Sequence, residues 1–184
     1  MITMNKLVTG LLKGRATRWS LLAVVAVAAG LSLAWNQHHY QIGGSYVGGS
    51  PGFTWTVVFT PLDPAGRTGT DHIAVTSWGA DFQALLGLFG ADTVSDLVGE
   101  SQMISRDTFK FTHIGYAQKA GNPLQVTAIV VVSGTSKSTG PDTGLTTYTL
   151  SIYPPTADGF PNLEQPPLFT TPAATDPARR VPVL

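Results

Sequence analysis

Residues 19–35 read WSLLAVVAVAAGLSLAW, with no charge and a tryptophan, Trp19 and Trp35, at either end. A helix that is apolar on every side has no face to offer water, so this stretch is not a surface helix of a soluble domain. At about 1.5 Å per residue it reaches roughly 25 Å, the short limit for a hydrocarbon core of roughly 30 Å. The two indoles fall where an aromatic belt meets the headgroups. Lys6, Lys13, Arg15 and Arg18 precede the stretch with no acidic residue among them. By the positive-inside rule they place residues 1–18 in the cytoplasm. The expectation is a single N-terminal transmembrane helix at 19–35 in a bacterial inner (cytoplasmic) membrane. The main domain is then periplasmic or extracellular. Ala26-Val27-Ala28 also fits a signal-peptide cleavage pattern. A cut there leaves residues 21–25 as the apolar region, shorter than the roughly 7–15 residues such signals use, so a retained anchor is preferred.

Charge is divided unevenly around this stretch. The chain has 11 acidic and 11 basic residues. All the acidic ones follow residue 35, and four of the basic ones precede it. The exported part is therefore mildly acidic with scattered cations, which excludes the concentrated basic footprint of a nucleic-acid-binding protein. There is no cysteine, hence no disulfide framework, thiolate metal site or cysteine nucleophile. The length beyond the anchor suits one domain.

Periodicity then sets the fold class. Phe53, Trp55, Val57 and Phe59 alternate with Thr54, Thr56, Val58 and Thr60, a strand with one large apolar face. Residues 61–66, PLDPAG, supply a turn, and residues 68–78 resume as a strand with Ile73 and Val75 opposed to His72 and Ala74. The period changes at Phe82, Leu85, Leu86 and Phe89, spaced i, i+3, i+4, i+7, with Asp81 as N-cap and Gly90 as stop. Thr93 and Asp96 resemble a capping box for a second short helix reaching Val98. Strands return at 101–106, at 109–116, at 124–132 (apolar enough to be covered on both faces) and at 145–153. Residues 133–139, SGTSKST, read as a polar hairpin turn. A phosphate loop needs glycine directly before the lysine and a helix after it, and Ser136 and Pro141 deny both.

Eight of the 13 prolines lie from residue 154 onward. Such a segment is expected to stay extended and outside any sheet interior. The expected organisation is a basic N-terminus at 1–18, the span at 19–35, a β-rich exported domain at 36–153 and a Pro-rich tail at 154–184. The fold class is mainly β, a small antiparallel barrel or curled sheet with a helical insertion. Removal of everything after Tyr153 is expected to leave it folded. Gly43-Gly44-Ser45-Tyr46 is similar to the first-strand Gly-x-Trp of lipocalin-like barrels, with tyrosine for tryptophan and no other part of that pattern present. No function is carried over from it.

Motifs for chemistry are sparse. His72 and His113 with Asp71 would make a metal site only if their strands were neighbours, and Asp71 and His72 point to opposite faces. His38 and His39 suit a solvated junction better than haem or pigment ligation. No Gly-x-Ser-x-Gly elbow occurs. Asp92 and Asp96 read as charges at a helix start rather than a catalytic pair. No catalytic residue, cofactor or metal is assigned.

The preferred expectation is a non-catalytic, single-pass accessory or structural subunit of a larger membrane complex, respiratory or photosynthetic for example. Its partners are the bilayer, through Trp19 and Trp35, and other integral membrane subunits, through Leu85, Leu88, Phe89, Phe160 and Phe169. The alternative is a membrane-tethered barrel that binds a lipid or pigment between Phe53, Trp55, Phe59, Phe109 and Phe111. A core filled by those aromatics is the simpler reading, because small barrels are plugged by their own side chains. An exported enzyme of unknown type is the third.

Overall fold

Alternation of large apolar with Thr- or Ser-rich positions gives each strand one face to bury, and a closed barrel is the arrangement that buries all those faces at once. A computed structural model describes residues 44–50 and 53–182. Trp19, Trp35 and the expected span lie outside them. The strands are β1 (Gly44–Ser50), β2 (Phe53–Pro61), β3 (Thr68–Ser77), β4 (Thr93–Val94), β5 (Leu97–Ser105), β6 (Thr108–Lys119), β7 (Asn122–Gly140), β8 (Thr143–Tyr153), β9 (Phe169–Thr170) and β10 (Ala174–Arg180). One helix, α1 (Ala80–Leu88), sits between β3 and β4. β1, β2, β3, β5, β6, β7, β8 and β10 pair in that order, every pair antiparallel, and β10 pairs back onto β1. The result is a closed eight-stranded barrel. The short β4 and β9 pair with β6 and β8.

The closing strand corrects the expected boundary after Tyr153. Residues 174–180, expected as part of an extended tail, are inserted between β8 and β1. Pro177 is tolerated because the ladder to β1 ends at Ala178, so its missing N–H falls where that partner has already run out. The 153-residue truncation therefore removes a barrel strand.

The second helix is replaced by strand. Thr93 and Val94 pair with Gln118 and Ala117, and Leu97 and Val98 begin β5 opposite Ile73 and His72. The β-branched Thr93, Val94 and Val98 fit a pleated surface, and pairing on both sides overrides a weak capping signal. Residues 133–138 are likewise no turn. They continue β7 between β6 and β8, and the chain reverses at Pro141 and Asp142.

Helix α1 begins where expected, although Gly79 rather than Asp81 is the N-cap and Asp81 sits in the first turn. Leu86 is 1% exposed and belongs to one buried cluster with Ala91, Leu97, Phe111, Ala117, Val130 and Ile152. By strand direction α1 lies at the barrel end where β3 finishes and β5 starts. Phe82 stacks on Trp78 at 4.2 Å between ring centroids, Trp78 lies 5.3 Å from Phe53, and Phe53 lies 5.8 Å from Tyr148. This row of rings runs from the helix into the barrel. On the outer face Ile129, Val131 and Tyr153 are buried with Ile114 and Tyr116. Gly159 lies beside Tyr116 there, so part of the proline-rich segment covers its own barrel.

Candidate functional site

The inward faces of the strands carry bulky rings opposite glycines. A Cβ on Gly69 would strike the Phe59 ring, and one on Gly48 would strike Trp55. Size alternation of this kind fills a narrow barrel. It leaves a cavity of about 100 Å³, walled by Tyr46, Phe53, Trp55, Phe111 and Tyr148 among others. All five aromatics of the ligand-binding alternative, Phe53, Trp55, Phe59, Phe109 and Phe111, line it.

Set among these rings is a polar group that packing alone does not call for. Phe59, Asp71, Gly99 and His113 occupy one row across β2, β3, β5 and β6. Asp71 and His113 are therefore two strands apart, and the residue between them has no side chain. A Cβ on Gly99 would meet the His113 ring and the Thr112 carbonyl. Across that gap His113 Nε2 lies 2.7 Å from Asp71 Oδ2, and Ser101 Oγ donates to the same oxygen. Asp71 and His113 are each 3% exposed at the side chain. Because an ionised carboxylate only accepts, Nε2 carries the proton, and in a neutral ring Nδ1 is then an acceptor. Asp71 Oδ1 and His113 Nδ1 have no hydrogen-bond partner among the described residues. His113 stacks on Phe111 at 4.9 Å.

A second buried carboxylate stands behind the wall. Asp176, 2% exposed, accepts a 2.9 Å hydrogen bond from Tyr148 Oη. Burial, and then the Asp176 hydrogen bond and charge, push the Tyr148 phenol well above its ordinary range. Ser136 and Thr146 hydroxyls pair at 3.1 Å and also line the cavity.

The arrangement does not activate a nucleophile. In a catalytic triad the histidine takes the serine proton, whereas here Asp71 stands between Ser101 and His113. What it does provide is a desolvated pole of acceptors inside an apolar wall, the composition of a small-molecule site.

The other residues singled out in the sequence are dispersed. His72 is exposed on the outer face, 3.1 Å from Asp96, so it does not join His113. No group of three His, Cys, Asp or Glu side chains placed to hold a metal ion occurs among the described residues. Asp92 is exposed and accepts from the Ala120 N–H. Leu85, Leu88 and Phe169 come together with Phe82 along an open groove of about 530 Å³ between α1 and β9. Leu88 is 81% exposed, Phe89 is half-buried against the core, and Phe160 is 66% exposed and apart from that groove. No helix among the described residues is long and apolar enough to cross a membrane.

Ser101, Tyr148 and Asp176 escaped the reading of the sequence, and Asp71 and His113 were weighed there only as metal ligands with His72, not as a pair with each other. A signal was present for these two. Asp71 is in phase with Ile73 and Val75, and His113 with Phe109 and Phe111, so extending either alternation by one step puts an ionisable group on the apolar face. No family model, curated protein or solved structure matches the chain.

Proposed function

We propose that this protein is a non-catalytic, membrane-tethered barrel that binds a small molecule in its lumen. The observation that carries the reading is the buried Asp71–His113–Ser101 cluster, whose Asp71 Oδ1 and His113 Nδ1 lack partners among the described residues and whose residues line a mostly aromatic and aliphatic cavity. A core selected only for stability has no use for it, since each buried polar atom left without a hydrogen-bond partner costs about 1–3 kcal/mol. A volume of about 100 Å³ falls below the roughly 300–1,000 Å³ of drug-sized pockets, which restricts the occupant to a small molecule or the head of a longer one. The stretch at 19–35 supplies the tether, with the barrel on the exported side.

Saturable quenching of tryptophan fluorescence by a small ligand tests this. The full-length protein in non-ionic detergent is expected to lose the response when Val132, on the cavity wall, is enlarged to Phe. An unchanged response in a folded V132F protein would place the ligand elsewhere.

A second reading rests on a separate observation. Leu88, Phe160, Leu163 and Leu168 are each more than half exposed, on α1 and the segment after β8, and Phe169 is 38% exposed beside them in sequence. Apolar surface of this kind suits an accessory subunit docked on a larger membrane complex. Purification in mild detergent tests it. A stoichiometric membrane partner, released by L88D with F169D, is the supporting result, and a monodisperse monomer is the opposing one.

A further inference from the structure

The polar atoms of the lumen also select among ligands. We propose that the occupant is a small organic cation, a primary ammonium on a short apolar chain. The inference rests on the lumen being the binding site.

Four observations lead to it. First, the two atoms without partners, Asp71 Oδ1 and His113 Nδ1, belong to side chains that are each 3% exposed and line the cavity. Both are acceptors when the ring is neutral, so they call for a donor head, and an ammonium carries three N–H groups and no acceptor. Second, among the described residues the wall contains no lysine or arginine and one carboxylate, Asp71, with a second, Asp176, hydrogen-bonded to the wall residue Tyr148. Anionic heads are therefore repelled. Third, Trp55, Phe59, Phe109, Phe111 and Tyr148 line the cavity, and aromatic rings attract cations through their quadrupoles. Fourth, most of these hydroxyl donors are already engaged: Ser101 donates to Asp71, Tyr148 donates to Asp176, and one of Ser136 and Thr146 donates to the other. A carboxylate head would find little to bind.

Size narrows the ligand further. A dry cavity of roughly 150 Å³ accepts benzene, so one of about 100 Å³ holds on the order of four non-hydrogen atoms. n-Propylammonium has that size.

The test compares n-propylammonium, 1-propanol and propionate on the full-length protein in non-ionic detergent, read by NMR shifts of the His113 ring and the Trp55 indole. Propylammonium is expected to bind tightest and propionate not at all. Asp71→Asn keeps the acceptor for Ser101 and His113 and places an amide donor where Oδ1 stood. It is expected to weaken propylammonium about 10- to 100-fold, the range for a hydrogen bond to a charged group, and to leave 1-propanol nearly unchanged. If 1-propanol or propionate shifts the same signals at equal or lower concentration, the ammonium assignment is overturned while the lumen remains the site. If none of the three moves them, both fail. The wild-type comparison decides the matter even if D71N does not fold.

Discussion

Removing the Asp71 carboxylate is the most informative single change in stability. Asp71→Ala takes away the acceptor of two buried donors, Ser101 Oγ and His113 Nε2. Each donor left unpaired costs about 1–3 kcal/mol, which together gives about 2–6 kcal/mol. Ser101 can turn its hydroxyl toward a backbone carbonyl, so the lower half of the range is expected, near 3 kcal/mol. The partner mutation is more diagnostic. With Asp71 gone, His113→Phe should recover part of the loss, because it removes the stranded imidazole and keeps a ring against Phe111. Urea unfolding of the four members of this cycle, followed by far-ultraviolet circular dichroism in detergent, gives the coupling directly. The expected coupling is above about 1 kcal/mol. A D71A loss under about 1 kcal/mol, or strictly additive single effects, would mean that the two side chains do not meet in the lumen.

Leu86→Ala should cost about 2–5 kcal/mol in the same assay, since the side chain is 1% exposed and packed on every side. Gly99→Ala should lower the melting temperature in the wild-type and D71A backgrounds alike, because the added Cβ strikes the Thr112 carbonyl and His113 Cα of the neighbouring strand; a melting temperature unchanged in both would remove the close approach at Gly99. Ending the chain after Tyr153 should leave β1 and β8 with open edges and yield aggregate rather than a folded monomer; a soluble, β-rich product would remove β10 from the barrel. Tyr148 has a raised folded-state pKa, so the fold favours its neutral form. Its contribution is complete below the unfolded value of about 10 and is lost as pH rises through the folded one. Phenolate absorbance should show a late-titrating component that Y148F abolishes.

The parts of the fold that announced themselves are those where local pattern and tertiary demand agree. Phe53 to Phe59 alternate because one face of β2 fills the lumen, and Phe82, Leu85, Leu86 and Phe89 keep helical spacing because α1 packs that side onto the barrel. The errors arose where distant partners decide. Thr93 and Asp96 have the form of a cap, yet strand pairing with Gln118 and with β3 leaves no room for a helix. Ser133 to Ser138 look like a turn because they are polar, but between two neighbouring strands the backbone, not the side chains, sets the conformation. Pro177 disguised β10, since proline argues against a strand everywhere except where a ladder ends.

The lumen was legible in halves. Its aromatics were visible as periodic residues. The polar cluster was not, because Asp71, Ser101 and His113 come from three strands, and only the pairing of β3, β5 and β6 with the gap at Gly99 makes them one group.

Nitrogen-resolved NMR of the His113 ring in the full-length protein tests the buried acceptor pole most directly. The account predicts an Nε2 proton held by Asp71, slow to exchange with solvent, and an Nδ1 signal that moves when n-propylammonium is added. A ring whose two nitrogens average rapidly with water, and which ignores the ammonium, would contradict it.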